Sequence, residues 1–406
     1  MKFATKIFTF ISLLLTFTSY NVNSNSYENI LREAAKKNGF KNFNTLYIDK
    51  NKELIDVGKV FFNSKKLSLN GNIACQSCHL NEFSSADGLP NAVGVHGEGK
   101  GKERLKSEYL DIIPRNTLPF WGRGGLGFNT FFWDGKVDFS DNKKISQFGD
   151  NLPSHDPLIV SIHLPALEIG EMITEDKNVK SHKLESVEYA KKFYRKITNN
   201  LKSKEKDDSI KLAGLLKKKF DDLEYLDYAK SIAAFIRHEF RIKETKFHEF
   251  VFNKGNLDEN EIKGGLIFYG KGKCSGCHSG PYFSDFKFYS YPFKQLGFGL
   301  NGFGIDYGRF NVTFDPDDLY KFRTPPLYNV TKTQPYTHSG SIKELFEVID
   351  SHSDPLKYID PKKMDKIDRV EFYRKFTKSS ENINKTAILS NQEINQLISF
   401  LRTLEF

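Results

Sequence analysis

Four cysteines constrain this chain more than any other feature, because they fall in two tight pairs and nowhere else. Each pair is followed at once by a histidine: Cys75-Gln76-Ser77-Cys78-His79 and Cys274-Ser275-Gly276-Cys277-His278. Two thiols at this spacing lie on one turn and can each add to a vinyl group of a haem. The histidine that follows then points its imidazole at the iron. A thiolate zinc site would not require a histidine after both pairs, and two such tight disulfides would be unusual in a secreted chain. The spacing therefore reads as two c-type haem attachment sites, with His79 and His278 as iron ligands.

The flanking sequence says where such a chain goes. Lys2 and Lys6 precede an apolar run from Ile7 to Phe17, too short to span a bilayer and typical of a signal segment. Val22 and Ser24 suit the small-residue positions before a cleavage site, so residues 1–24 are expected to be removed and the remainder delivered to the periplasm. No other stretch is long and apolar enough to cross a membrane. The net charge of +9 favours acidic partners, but the lysines are scattered and no nucleic-acid motif accompanies them. With 39% apolar and 27% charged residues the chain reads as globular, and 406 residues suffice for two domains.

Periodicity places helices around the motifs. Ser26 can cap a helix over Glu28 to Lys37 that Gly39 stops, and Glu53 to Phe62 leads into the first motif. The Gly-, Asn-, Pro- and aromatic-rich stretch from Phe83 to Asp156 reads as long ordered loops, and Lys177 to Lys219 as exposed helices or an insertion. Tyr225 to Phe247 is a strongly amphipathic helix. Asp258 and Glu261 open another that runs to Gly270 and delivers the second motif. Ser390 and Glu393 form a capping box for the last helix. The expected architecture is mostly α: two cytochrome-c-like haem domains with long ordered loops, residues 25–220 and 221–406, divided near Asp221.

At this level of detail the chain resembles the bacterial dihaem cytochrome c peroxidases and their MauG-type relatives, from about Asp56 to the end. The resemblance rests on an ordered set: Asp56-Val57-Gly58-Lys59-Val60-Phe61-Phe62 with Leu67-Ser68; Phe132-Trp133-Asp134-Gly135; and Lys321-Phe322-Arg323-Thr324-Pro325-Pro326-Leu327 with Asn329-Val330, Pro335-Tyr336 and His338. Tyr328 stands where the family usually has Arg.

The resemblance implies roles residue by residue. The haem on His79 would be the peroxidatic one and that on His278 the electron-entry one, with Arg323 among the haem-binding residues. Glu168, in Glu168-Ile169-Gly170, would be the acid/base, with Glu171 as second candidate. His96 would be a conditional distal ligand of the first iron, or a solvent histidine on a Gly-rich loop. Trp133 would bridge the haems, or be a core aromatic. A structural calcium would take the Asn116 side chain and the carbonyls of Thr333 and Pro335, an oxygen set that suits it. Counting from His338 through Gly340-Ser341-Ile342 and Leu345 puts the second ligand of the second haem at His352. The family usually has Met there and MauG-type members Tyr; His338 and Met364 are the alternatives. The activity implied is reduction of hydrogen peroxide with electrons from a small cytochrome c or cupredoxin, in a monomer or a homodimer. A MauG-type oxidase acting on a protein, or a non-catalytic electron-transfer cytochrome, are the other readings.

The motif arithmetic makes a direct prediction. After periplasmic expression in a host with haem-attachment machinery, intact mass exceeds the polypeptide by two haem masses; a gain of zero or one refutes the reading.

Overall fold

The computed structural model describes residues 24–48, 51–142, 144–174 and 187–406. The signal segment falls outside the described residues except for Ser24, which opens the first helix, and so does 175–186 of the Lys-rich stretch. In chain order the main helices are α1 (Ser24–Lys37), α2 (Lys52–Asn63), α3 (Pro157–His163), α4 (Val187–Lys204), α5 (Lys206–Leu215) and α6 (Tyr225–Glu239). There follow α7 (Lys246–Phe252), α8 (Glu259–Tyr269), α9 (Leu345–Ser351), α10 (Lys366–Lys385) and α11 (Asn391–Arg402). Strands are short. β1 (Thr130–Phe131), β2 (Val137–Asp138) and β3 (Ile145–Ser146) make an antiparallel sheet. β4 (Phe288–Ser290), β5 (Phe298–Gly299), β6 (Gly302–Phe303) and β7 (Lys321–Arg323) pair antiparallel as β4 with β7 and β5 with β6.

The frame uses one device twice. Asn51 caps α2 by accepting from the amides of Glu53 and Leu54, and the helix buries Ile55, Val57, Gly58, Phe61 and Phe62. At Gly58 the α6 backbone comes so close that a Cβ would lie 1.9 Å from the Ser231 carbonyl oxygen. In the second half the Asp258–Glu261 capping box starts α8, which buries Gly264, Ile267 and Phe268. A Cβ at Gly264 would lie 1.9 Å from the Gln396 carbonyl oxygen of α11, the helix capped by the Ser390–Glu393 box. Each Cys-x-x-Cys-His turn therefore hangs from a helix seated backbone-to-backbone on a partner. The repeat read from sequence as helix-then-motif extends to the partner helix.

Three differences from the sequence reading have local causes. The stretch from Tyr225 to Phe247 is two helices, because the Thr245 hydroxyl accepts from the His248 amide and the His248 ring accepts from the Thr245 amide, which restarts the chain as α7. The Lys-rich helices are not merely surface: Ile197, Leu201 and Leu212 of α4 and α5 join the core, and only their outer faces carry the lysines. Packing also pairs segments across the position near Asp221. α6 sits on α2, while α1 sits on α8, with Leu31 against Gly265. One main apolar core results, from Leu31 to Leu404, with a smaller separate cluster of Leu167, Ile173, Ala190 and Phe193. No described helix is long and apolar enough to cross a membrane.

Close helix contact gives a stability prediction. Gly58→Ala and Gly264→Ala each overpack a backbone contact and should destabilise by about 1–3 kcal/mol in denaturant unfolding followed by circular dichroism. Gly214→Ala is the control: it is in α5 with nothing within 4 Å of its Cβ position, and should be neutral or slightly stabilising.

Candidate functional site

The two motifs fold alike. Cys75–Ser77 and Cys274–Gly276 are single tight turns, and the amides of His79 and His278 close onto the carbonyls of Cys75 (3.1 Å) and Cys274 (2.9 Å). All four thiols are free, and burial pushes those of Cys75 and Cys274 up to about 12. Each histidine is then oriented by a backbone carbonyl. His79 Nδ1 lies 2.9 Å from the Ser85 oxygen and His278 Nδ1 lies 3.0 Å from that of Phe283. With Nδ1–H committed as donor, Nε2 keeps its lone pair, which is the tautomer a metal requires. Burial, followed by the Arg123 charge, pushes the His79 ring down to about 3, and burial pushes His278 down to about 4, so both are neutral bases. Two thiols and one neutral imidazole on each turn fit covalently attached haem.

A cavity of about 260 Å³ opens beside the second motif, lined by Cys274, Cys277, His278, His352, Trp133 and Arg323 among others. His352 repeats the same ring arrangement: its Nδ1 is 2.7 Å from the Val348 carbonyl, and Tyr291 and Phe293 pack on it at 4.6 and 5.5 Å. His338 also lines the cavity, but its Nε2 is 3.1 Å from Gln295 Oε1 and its ring is stacked on Phe322 at 3.9 Å. Met364 ends the turn after Lys363 and does not line the cavity, and Met172 is buried in the core. The structure thus brings His278 and His352 to one cavity as neutral rings, each with Nδ1 held by a backbone carbonyl.

Between the motifs runs a short bridge. Asn116, Thr117, Leu118 and Pro119 line the cavity, and the next residue, Phe120, stacks on His79 at 3.6 Å. Trp133 is tied to this segment through Nε1, which donates to the Asn116 carbonyl (2.9 Å), while the Trp133 carbonyl accepts from the Arg323 amide (2.8 Å). Arg323 is buried, with Nε donating to the Phe132 carbonyl. Trp121, the other tryptophan, is tied down at Ser84. The Asn116 amide donates to the carbonyls of Pro335 (2.7 Å) and Thr337 (3.4 Å), so Asn116 and Pro335 meet, with Thr333 on the same cavity wall. Tyr328, the departure from the family's usual Arg, is buried with its hydroxyl on the Pro281 carbonyl and near His248 Nε2.

Near the first motif two loops are zipped together. The Val95 amide donates to the Gly170 carbonyl (2.9 Å), and at Gly94 a Cβ would lie 1.7 Å from that same oxygen, so only glycine fits. This contact brings the His96 loop to the Glu168 turn. His96 has φ of 70°, and its Nδ1 is 2.9 Å from Asp111 Oδ2 with the side chain 41% exposed. Glu168 Oε1 is paired with Lys136 Nζ at 2.9 Å and is equally exposed. Glu171 is more enclosed. Burial pushes its carboxyl up to about 7, against the pull of Lys136 and with the push of Glu168, and its charge is felt at both Cys75 and Cys78. Sequence reasoning missed Lys136, Asp111 and Phe120. Lys136 directly follows the Trp-Asp-Gly segment, which was its one available signal; Asp111 and Phe120 had none.

Comparison with known proteins agrees with this geometry. The family model for di-haem cytochrome c peroxidase matches residues 52–256. The cytochrome-c peroxidase IdrP1 of Pseudomonas sp. (strain SCT) is 26% identical over 325 residues, covering 73% of this chain and 71% of that one. The methylamine utilization protein MauG of Methylorubrum extorquens is 24% identical over 314 residues, covering 74% and 68%. Among solved structures, a MauG-like protein associated with microbial copper homeostasis superposes with a TM-score of 0.63 at 23% identity, over 88% of this chain and 90% of that one. With paired haem-attachment turns, their oriented histidines and a matching family model over half its length, the chain belongs to the di-haem cytochrome c peroxidase family.

Proposed function

We propose that this chain is a periplasmic peroxidase that reduces hydrogen peroxide to water, taking two electrons in turn from a small cytochrome c or cupredoxin. The observation that carries this is the pairing of unlike surroundings. Near the first motif the contact of Val95 with Gly170 gathers two carboxyls and the His96 imidazole, whereas the second motif has a mostly apolar cavity that a second imidazole, His352, also lines. One site is equipped for proton chemistry, the other for electron transfer alone.

Haem bound at each motif would supply the redox-active iron. The chain's own residues supply the rest. Cleaving the O–O bond requires a proton to move from the near oxygen to the far one, and Glu168 is the residue for that transfer. Lys136 pairs with it at 2.9 Å, and Glu171, which burial pushes up to about 7, can pass it a proton. The balance is one peroxide, two protons and two electrons to two waters. His96 would be the imidazole able to reach a haem held at the first motif, and Asp111 would hold its ring away from that place. A haem held at the second motif would receive the donor's electrons, and Trp133 with the Asn116–Phe120 segment would connect it to the first motif. Calcium seated on Asn116, Thr333 and Pro335, with the Asn116 amide turned to present Oδ1, would brace that crossing. An imidazole at position 352, where MauG-type enzymes have a tyrosine, favours peroxide over a protein as the substrate.

Steady-state turnover with a reduced small cytochrome tests the assignment. Glu168→Gln should lose roughly 10²-fold or more of peroxide turnover with both haem spectra kept, and Glu171→Gln less than tenfold. The reverse order transfers the duty to Glu171. The second haem should give a low-spin bis-histidine signal in electron paramagnetic resonance and lack the near-infrared band of Met-to-iron charge transfer. His352→Ala should abolish that signal; if the band is present, or the signal survives the substitution, His352 is not the ligand.

A further inference from the structure

A tyrosine on the wall of the second cavity has a proton acceptor built behind it. Tyr289, in β4, is partly buried and lines the cavity, and its hydroxyl donates to Asp285 Oδ2 at 2.7 Å. The carboxyl is fixed for that bond. The Asp285 amide donates to the Cys277 carbonyl (2.8 Å), and Asp285 Oδ1 accepts from the Lys287 amide (2.9 Å), which leaves Oδ2 to the phenol. Asp285 itself does not line the cavity. The Cys277 sulfur is a second neighbour of the Tyr289 hydroxyl. That sulfur is one of the two that would carry the second haem, so the phenol stands against an attachment point.

Tyr291, two residues on, is the internal contrast. It lines the same cavity and packs on His352, but its hydroxyl meets the Thr386 hydroxyl at 3.4 Å. A phenol that loses an electron becomes a strong acid, and leaving it charged in an apolar cavity is costly. A neighbouring hydroxyl cannot take the proton; a carboxyl oxygen at hydrogen-bond distance can. Burial, followed by the bond to Asp285, pushes the Tyr289 hydroxyl above its ordinary range, so the phenol keeps its proton until the electron leaves. Of these two rings, Tyr289 is the one equipped to lose both.

We propose that Tyr289 is a redox-active side chain that supplies peroxide reduction with an electron when no donor is docked, passing its hydroxyl proton to Asp285. The proposal rests on the peroxidase reading above. In this step the Tyr289 Oη–H bond breaks, an O–H bond forms at Asp285 Oδ2, and one electron leaves the ring, which is left as a neutral phenoxyl. Hydrogen peroxide is the oxidant. That electron and one delivered earlier by the donor, with two protons from solvent, convert one peroxide into two waters. The next electron from the donor restores the phenol as the proton returns from Asp285. The second site still performs electron transfer only, since this proton moves along one hydrogen bond and back and never reaches peroxide. A turnover begun with one electron too few thus ends at one chosen residue rather than at whichever side chain lies nearest.

The test uses purified holoprotein, with haem content confirmed by intact mass. The half-reduced protein is mixed with equimolar peroxide without donor, frozen, and read by electron paramagnetic resonance. A narrow organic radical signal should appear and change shape when the tyrosines carry ring deuterium. Tyr289→Phe and Asp285→Asn should each lower it roughly tenfold or more, while Tyr291→Phe and Asp285→Glu, which keep the phenol and its base, should stay within about threefold of wild type. A signal undiminished in Tyr289→Phe overturns the proposal. Should Tyr289→Phe not accumulate with its haems, the wild type decides: a nitroso spin trap added after peroxide should be found on the peptide carrying Tyr289, and adducts on other residues alone overturn the proposal. Steady-state turnover with a reduced small cytochrome, measured on the same preparation, separates the two readings. A wild type that turns over peroxide but forms no tyrosyl radical removes this proposal alone. One that carries both haems and consumes no peroxide removes the peroxidase reading and this proposal with it.

Discussion

A ring nitrogen that donates to a backbone carbonyl determines what the opposite nitrogen can do. His79, His278 and His352 all make that bond, to Ser85, Phe283 and Val348. Each acceptor is supplied by local chain geometry: a loop closing a few residues after the motif in the first two cases, and the preceding turn of α9 in the third. The rest of the architecture keeps these carbonyls in place. α2 and α8 carry the motif turns, and their glycine contacts with α6 and α11 leave no slack between motif and core. A displaced carbonyl would free the ring to turn or to bind a proton at the wrong nitrogen, and its capacity to hold a metal would be lost without any change of residue.

The charges around the first motif form an ordered gradient. Lys136 grips the exposed Glu168, while Glu171 behind it is driven toward its neutral form. Two carboxyls three residues apart in sequence thus have unlike surroundings, one paired with Lys136 and the other pushed up to about 7 by burial. The second cavity has nothing comparable. Its walls are mostly apolar and carry no carboxyl, and the ionisable rings of His278 and His352 are kept neutral by burial.

Much of this was legible in the sequence because it is local. The motif turns, the capping residues Asp258 and Ser390 and the apolar faces of α2, α8 and α11 depend on neighbours within a few positions, and all appear where the spacing put them. The break after Glu239 was hidden because the apolar period continues through it, and only the Thr245–His248 cap shows that the chain restarts. The burial of α4 and α5 was masked by their lysines. Asp111 and Phe120 were invisible for a different reason: their significance lies in what they meet across the fold, at His96 and His79, and nothing in their own neighbourhoods announces it. Glu168 and His352 were placed by family resemblance and by counting, and the structure adds their surroundings: Lys136 for one, the cavity wall for the other.

The seat of α1 bears on how the molecule is made. This helix precedes everything else described, yet its apolar face, Leu31 and Ala35, is covered by α8, more than half the chain away. A ribosome releases α1 long before its cover exists. Throughout that interval the first half can gather around α2 and α6 while α1 waits with its apolar side bare. When α8 arrives and α1 docks, the chain closes on itself and the two motifs are fastened into one body. The first described helix thus waits for a cover that the ribosome delivers far later.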